Sequence, residues 1–287
     1  MTETWKVSTG LLSRAAAEGL AARIDEAASE SGIVVAAFAV EPDSADWRVE
    51  AYVGERPPAR ELIAELFGDL PVVTEKLPPA DWVARSQSLL KPIRAGRFFI
   101  HGEHDRDKRI SGAVCVEIQA GQAFGTGHHG TTRGCLLAID HVLRHQRPKR
   151  MLDLGCGSAI LAIAAARAVR QPVLAGDVDP VAVSTAKQNA RLNQAAGLVD
   201  TVVAAGMRGP KLCPPNRFDL IVANILAGPL QSMKRDIAHA LSPGGQLILS
   251  GITVDQECRL LGAYRPFGLF LHRRWRPDGW STLLLRK

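Results

Sequence analysis

The residues with the clearest chemical potential follow short apolar runs in the middle of the chain. Asp153 precedes two glycines, Gly155 and Gly157, and a helical pattern opens near Ser158. A buried strand, a glycine turn and a helix N-terminus bring backbone N–H groups close to a ligand in α/β proteins. Asp177 ends the next apolar run, and a carboxylate at a strand tip can accept hydrogen bonds from ribose hydroxyls. The spacing predicts a site for a nucleoside-bearing cofactor.

Two cofactors compete for this pattern, NAD and S-adenosylmethionine. The dinucleotide fingerprint needs a third glycine for close packing of helix on strand, and this chain has Ile160 at that position. Asp153, two residues before the first glycine, is also foreign to the dinucleotide pattern. A carboxylate there suits the ammonium of S-adenosylmethionine, which we therefore expect as the cofactor.

The elements that position these residues alternate from about residue 97 onward. Strand patterns cover 97–100, 113–118, 150–154, 173–177, 201–204, 218–223 and 246–250, and helical patterns cover 132–145, 158–169, 180–193 and 229–241. Such alternation predicts a parallel sheet with helices on both faces. Two further strands, at 270–275 and 280–285, form a hairpin across the turn Pro277-Asp-Gly279. This ending favours the seven-stranded, doubly wound methyltransferase sheet, whose last strand is antiparallel.

The first 76 residues predict a separate small domain. Strand patterns at 5–8, 33–40, 47–53 and 72–75 enclose helical patterns at about 13–29 and from Pro57 onward. The order β-α-β-β-α-β is that of a ferredoxin-like α+β domain. We expect residues 1–76 to form this domain, 77–96 a linker with a connecting helix after Trp82, and 97–287 the cofactor-binding domain.

Composition limits the classes of protein that remain. There is no apolar run of membrane-spanning length and no secretory leader pattern at the N-terminus, so we expect a cytoplasmic protein. The 5 cysteines lie far apart with no CxxC pair, which indicates free thiols and no metal site. Residues 1–76 carry 7 Lys/Arg and 14 Asp/Glu, whereas residues 77–287 carry 28 and 15. An acidic head and a basic body predict different tasks for their surfaces.

Several segments together resemble one methyltransferase family. They are the loop Ala123-Phe-Gly-Thr-Gly-His-His-Gly-Thr-Thr132, Leu152-Asp-Leu-Gly-Cys-Gly-Ser158, Gly176-Asp-Val-Asp-Pro180, Asn224-Ile-Leu-Ala227, and the segment from Leu241 to Gly251. These closely resemble the bacterial methyltransferases of large-subunit ribosomal protein L11, the PrmA family, over about residues 97–287. The ferredoxin-like head agrees with that family's small substrate-recognition domain.

The resemblance implies roles for individual residues. Thr132, Gly155 and Asp177 match cofactor-binding positions, with Gly157 in the same turn, and Asn224 matches a residue that faces the transferred methyl group and binds the cofactor. Ala159 stands where the family often has glycine, a change that should be tolerated. His128 and His129 depart from the Thr-His-Pro of many relatives, and we expect them to shape the loop over the cofactor.

The expected reaction is methylation of protein amines. Asn-Ile-Leu-Ala differs from the Asn-Pro-Pro-Tyr of enzymes that methylate planar nitrogens, which favours sp³ amines such as lysine side chains or a chain N-terminus. A neutral amine held in line with the methyl group needs no strong general base, because positioning supplies much of the acceleration. The resemblance implies a ribosomal protein as the partner.

Other functions compete with this interpretation. The same catalytic half could methylate lysines of another protein, or the protein could be an RNA methyltransferase, because RNA-recognition domains share the ferredoxin-like fold. The head has neither the aromatic RNA-binding motif nor positive charge, so we expect no direct nucleic-acid specificity. A non-catalytic cofactor sensor is disfavoured by the presence of Asn224 and of the complete glycine loop.

Overall fold

The computed structural model describes residues 4–27, 33–40, 44–54, 58–77, 92–118, 129–209, 211–212 and 217–287. The chain divides into two compact units, residues 1–86 and 87–287. Within the described ranges, no helix is long and apolar enough to span a membrane. The connecting helix predicted after Trp82 and the glycine-rich loop through His128 lie outside these ranges.

The first unit is an antiparallel sheet with two helices. Its elements are β1 (Thr4–Thr9), β2 (Leu12–Ser13), α1 (Arg14–Ala27), β3 (Val34–Ala39), β4 (Asp46–Gly54), α2 (Arg60–Phe67) and β5 (Val72–Leu77). The strands follow the order β3-β4-β1-β5, and the short β2 also pairs with β4. Ile24 of α1 and Phe67 of α2 are buried with Val7 and Val49 of the sheet. Apolar residues at helical spacing therefore cover one sheet face, as the ferredoxin-like prediction requires.

The second unit is built on a seven-stranded sheet. Its strands are β9 (Met151–Leu154), β10 (Val173–Asp177), β11 (Val199–Val203), β12 (Phe218–Asn224), β13 (Leu241–Thr253), β14 (Phe270–Trp275) and β15 (Trp280–Arg286). They lie in the order β11-β10-β9-β12-β13-β15-β14. The first five are parallel to one another, and β15 is antiparallel to both of its neighbours. The predicted fold class and its closing hairpin are confirmed.

Helices cover both faces of this sheet. They are α3 (His129–His145), α4 (Ile160–Val169), α5 (Pro180–Leu192), α6 (Ala227–Ser232), α7 (Lys234–Ala240) and α8 (Glu257–Tyr264). Residues of β12 alternate between the two apolar clusters, with Leu220 and Val222 beside α3 to α5 and Ile221 and Ala223 beside α6 to α8. Because side chains alternate along a strand, Asn224 lies on the face that α3 covers.

A three-stranded sheet packs against helices α3 and α4. It consists of β6 (Ile93–Ala95), β7 (Phe98–His101) and β8 (Val114–Glu117). Helix α4 has Ile160 through Ala166 buried on all sides, which is expected of a helix enclosed by neighbours on every face. Strand β6 lies inside the segment 77–96, which we expected to be a linker. Its buried Ile93 and Ala95 belong to the core of the second unit.

Two predicted elements differ in detail, and one helix was not predicted. The single helix expected at 229–241 is two helices, α6 and α7, separated by Met233, whose sulfur packs against Gly206. Strand β13 begins at Leu241, before the expected turn, and its register with β12 shifts between Phe218 and Leu220. Helix α8 was not predicted. Its buried face consists of Glu257, Leu260 and Tyr264, so a polar residue interrupts the apolar period.

Candidate active site

The glycine turn after β9 is fixed against β10. The backbone N–H groups of Gly155 and Cys156 donate to the carbonyl oxygen of Gly176 at 2.8 and 3.0 Å. Gly155 has φ 71° and Gly157 has φ 52°, a region that glycine enters without steric cost. A Cβ on Gly155 would lie 2.3 Å from Cγ2 of Ile225. Glycine is therefore required at position 155 by both conformation and space.

The carboxylate of Asp177 is oriented by two backbone N–H groups. Oδ2 accepts from Gly157 at 2.8 Å, and Oδ1 accepts from Asp179 at 3.0 Å. The residue is half-buried at the tip of β10. A carboxylate oxygen has more than one acceptor position, so each oxygen can still accept from a ligand hydroxyl. The turn and this acid form one preorganised structure.

Asp153 is a second acid beside the turn. It is buried within β9, and its Oδ2 accepts from the N–H of Ala162 in the first turn of α4 at 2.9 Å. Burial raises the pKa of Asp153 to about 7, and the nearby charge of Asp177 contributes to the increase. This carboxyl group therefore changes its ionisation near neutral pH, and a cation beside it would favour the charged form.

Asn224 ends β12 next to α3. Its Nδ2 donates to Oγ1 of Thr131 at 3.3 Å. The backbone that follows is held tightly, since a Cβ on Gly251 would lie 2.5 Å from the carbonyl oxygen of Ile225. Gly251 has φ 80°, so this contact depends on a residue without a side chain. The position of Asn224 is thus set by three elements, α3, β12 and β13.

Thr131 faces the sheet and Thr132 does not. Thr131 is 3 % exposed and shares a buried helix face with Cys135, Ala138 and Val142, at spacings of four, three and four residues. Thr132 lies one position further round α3 and is half-buried. The cofactor-binding role of Thr132 stays a prediction, and the hydroxyl that contacts Asn224 belongs to its neighbour Thr131.

A buried polar network supports this part of the site. The hydroxyl of Ser250 lies 2.8 Å from Oγ1 of Thr282 and 3.2 Å from the carbonyl oxygen of Ser281. The Ser281 hydroxyl donates to Oε1 of the buried Glu257 at 2.7 Å. Arg276 donates to both carboxylate oxygens of Glu257, which together with Ser281 lowers the pKa of Glu257. Polar groups between α3, β13, β15 and α8 are thereby paired.

The structure brings the predicted residues to one edge of the sheet. Gly155, Gly157 and Asp177 are joined by hydrogen bonds to or from β10, and Asn224 ends the strand on the other side of β9. Thr132 lies in the first turn of α3. His128 is outside the described residues. The binding and catalytic roles assigned to these residues remain predictions.

Sequence reasoning missed the supporting residues Thr131, Ser250 and Gly251. The helical period of α3 could have identified Thr131, because it repeats with Cys135 and Ala138. Nothing in the local pattern distinguished Ser250 or Gly251 from other strand residues. Within the described part of the chain, no three His, Cys, Asp or Glu side chains are grouped to hold a metal ion.

Comparison with known proteins matches the whole chain. The family model for ribosomal protein L11 methyltransferase (PrmA) matches residues 2–287. A ribosomal protein L11 methyltransferase of Mesorhizobium japonicum is 45% identical over 275 residues, covering 94% of this chain and 95% of the relative. The protein of the same name from Rhodopseudomonas palustris is 43% identical, covering 100% and 99%. The crystal structure of a ribosomal protein L11 methylase from Lactobacillus delbrueckii subsp. bulgaricus has a TM-score of 0.61 at 28% identity, and the match covers 69% of this chain and 100% of that one.

The strand order, the glycine turn and the acid at the tip of β10 define a class I methyltransferase that uses S-adenosylmethionine. Within that class, the chain belongs to the ribosomal protein L11 methyltransferase family. The two rivals considered from the sequence, a lysine methyltransferase of another protein and an RNA methyltransferase, are not favoured by these matches.

The residues present suit S-adenosylmethionine. The preorganised carboxylate of Asp177 fits a ribose diol, because it accepts hydrogen bonds and retains acceptor positions. The carboxyl group of Asp153 supplies a negative charge that an ammonium group would stabilise. The carboxylate oxygens at this edge therefore match the hydrogen-bond donors at both polar ends of the cofactor, the ribose hydroxyls and the ammonium group.

Proposed function

We propose that this protein transfers methyl groups from S-adenosylmethionine to amines of ribosomal protein L11, on lysine side chains, on the N-terminal amine or on both. The observation that carries the proposal is the pairing of Asn224 with Thr131 at the sheet edge that also holds the Gly157–Asp177 hydrogen bond. The names of the full-length relatives support L11 as the substrate. We place the protein in the cytoplasm, where its substrate is made.

Five residues are proposed to hold the donor. Asp177 would accept hydrogen bonds from the ribose hydroxyls, since its oxygens are already aimed by Gly157 and Asp179. Gly155 and Gly157 would let the ligand approach the backbone closely. Thr132, half-buried in the first turn of α3, would bond the methionine end with its hydroxyl. Asp153, although buried, would stabilise the methionine ammonium.

Asn224 is proposed to aim the attacking amine and to contact the donor. Its Nδ2 is engaged with the Thr131 hydroxyl, so its amide oxygen points away from α3. An amide oxygen accepts hydrogen bonds, and an amine hydrogen donated to it would direct the nitrogen lone pair. When bound, S-adenosylmethionine supplies an electrophilic methyl group on a positively charged sulfur.

The amine must reach the site without its extra proton. A lysine ammonium has a pKa near 10.4, so only the neutral fraction can act as a nucleophile. Asp153 is 2 % exposed and its Oδ2 is bonded to α4, which leaves it badly placed as a base for an incoming amine. The chain therefore contributes by positioning the amine and excluding water rather than by general-base catalysis.

The acidic first unit is proposed to recruit the substrate. Residues 1–76 carry twice as many Asp/Glu as Lys/Arg, which attracts a basic ribosomal protein and repels nucleic acid phosphates. No base-specific recognition of nucleic acid by this unit is proposed. Exposed carboxylates act mainly on the rate of encounter, so this contribution should weaken as salt concentration rises.

The decisive experiment combines purified protein, labelled S-adenosylmethionine and purified L11, followed by mass spectrometry. Label on L11 amines supports the proposal, whereas label on RNA alone, or no label, contradicts it. Asp177→Ala should weaken donor binding at least about tenfold by calorimetry, because charged hydrogen bonds to the ribose are lost. Asp200→Ala is the matched control, because it removes an exposed acid from the neighbouring strand β11.

Variants at Asn224 separate positioning from donor binding. Asn224→Ala should lower kcat far more than it weakens donor affinity. Thr131→Val removes the acceptor at nearly constant volume and should lower kcat, whereas Thr131→Ser keeps a hydroxyl and should retain the rate. Equal rates in Thr131→Val and Thr131→Ser would show that the amide needs no support from α3.

A further inference from the structure

A row of cations lies along the edge of the seven-stranded sheet opposite the proposed donor site. Arg150 precedes β9, Arg217 precedes β12, and Lys287 follows β15. Lys287 lies at the same edge because its N–H donates to the carbonyl oxygen of Gly245, just before the segment of β13 that pairs with β12 and β15. These strands are neighbours about 4.8 Å apart, so the row from β9 to β15 is about 14 Å long.

The charges of this row are not neutralised by nearby acids. Arg147, Lys149, Arg150 and Arg217 are exposed, and none of them is in an ion pair among the described residues. The neighbouring acid, Asp219, accepts from the backbone N–H groups of Lys149 and Arg150 at 2.9 and 3.1 Å. Its carboxylate forms no ion pair with these four side chains among the described residues, and its single negative charge is outnumbered by their four positive charges.

The last cation of the row, Lys287, is half-buried and lies near Arg217. Burial and the positive charge of Arg217 lower the pKa of Lys287. The Lys287 ammonium donates to the carbonyl oxygens of Ala238 and Leu241 at 2.6 and 3.1 Å. A bound anion would relieve this repulsion, so the edge is electrostatically suited to a partner with several negative charges.

An exposed aromatic ring continues the same edge. Phe270 is the first residue of β14. It pairs with Arg286 of β15 and is 57% exposed. An exposed ring beside arginines provides a surface on which nucleic acid bases can stack regardless of sequence. Arginine also suits phosphate because its planar fork can bond two oxygens at once. An acidic protein would use the cations but would have no need of the ring.

We propose that this basic edge, defined by Arg147, Lys149, Arg150, Arg217, Arg286, Lys287 and Phe270, binds the backbone of single-stranded RNA without base specificity. The function goes beyond methyl transfer and does not depend on it. Arg217 and Asn224 lie at opposite ends of β12, seven residues or about 23 Å apart. RNA on the basic edge would therefore leave the donor site open and would hold the enzyme near ribosomal RNA.

The test measures binding of the full chain to a fluorescent 20-nucleotide RNA of mixed sequence (roughly the upper range of single-stranded site sizes) at several salt concentrations. We expect R147A/K149A to reduce the slope of log affinity against log salt by about 1.4, at about 0.7 for each lost phosphate contact. K187A/R259A removes two exposed cations from α5 and α8 and should keep the wild-type slope. F270A should weaken binding about 5- to 150-fold with little change in slope.

Three results would overturn the proposal. They are an absence of salt-dependent RNA binding, an equal loss in K187A/R259A and R147A/K149A, and displacement of RNA by poly-glutamate as efficiently as by unlabelled RNA at equal charge. The last result would identify an acidic protein as the partner. Methyl transfer to free L11, measured in parallel, should be unchanged in R147A/K149A, so failure of RNA binding and failure of the proposed enzyme activity remain distinguishable.

Discussion

Replacing Gly251 with alanine should disturb both the fold and the site. Gly251 has φ 80°, and a Cβ there would lie 2.5, 2.8 and 2.9 Å from the O, C and N atoms of Ile225. These are backbone atoms of the residue that follows Asn224. They can move away from the new methyl group only if Asn224 moves with them, so the substitution tests how β13 positions the site.

The expected cost has two parts, and Gly244 separates them. Alanine in the left-handed region costs about 1–2 kcal/mol, and forcing a methyl group into packed backbone adds about 1–3 kcal/mol. Gly244 has φ 74°, and no atom lies within 4 Å of the position that a Cβ would take, so Gly244→Ala should show only the conformational cost. Gly251→Ala should therefore be less stable than Gly244→Ala by about 1–3 kcal/mol, which corresponds to a Tm lower by about 2–12 °C.

Thermal unfolding and methyl-transfer rates of the two variants provide the assay. In Gly251→Ala a shift of Asn224 by about 1 Å should lower kcat by up to about 100-fold, whereas Gly244→Ala should keep nearly the wild-type rate. If the two variants unfold at the same temperature and transfer methyl groups equally fast, Ile225 is not held by Gly251 and the reasoning is refuted.

Two further predictions concern pH. The pKa of Asp153 is raised on folding to about 7, so its cost to stability is present above pH 7 and disappears as pH falls toward its unfolded value near 3.9. Asp153→Asn should therefore unfold at a higher temperature than wild type at pH 8 and at a similar temperature at pH 4. The pKa of Glu257 is lowered mainly by Arg276, so its contribution is present above about pH 4.3 and is lost below its folded pKa. Glu257→Gln should be destabilised by about 1–3 kcal/mol at pH 7, with a smaller difference at pH 4.

Denaturant unfolding at pH 8, 7 and 4 checks both statements. Asp153→Asn should be more stable than wild type at pH 8, and Glu257→Gln should be less stable than wild type at pH 7, because one pKa is raised and the other lowered on folding. Both differences should shrink as pH falls to 4. A pH-independent difference for either variant would contradict the assigned direction of that shift.

Local sequence patterns were sufficient for most of the architecture. The bounds of β10, Val173–Asp177, and of β14, Phe270–Trp275, are as predicted, and Pro172 and Pro277 lie just outside these strands. The alternation of strands and helices also predicted the fold class, because a right-handed crossover leaves few topologies open. Helix α8 escaped detection because its buried face includes the polar Glu257, which interrupts the apolar pattern of Leu260 and Tyr264.

The sequence by itself determined which chemistry is present: the two-glycine turn, Asp177 at a strand tip and Asn224 after a buried strand are read directly from spacing. Only the tertiary structure decided how those groups are held. Thr131, and not Thr132, is the partner of Asn224 because of which face of α3 meets the sheet. Glycine is required at position 251 because Ile225 comes close to it between β12 and β13. Both depend on distances between segments more than 25 residues apart in the chain, which periodicity within one segment does not encode.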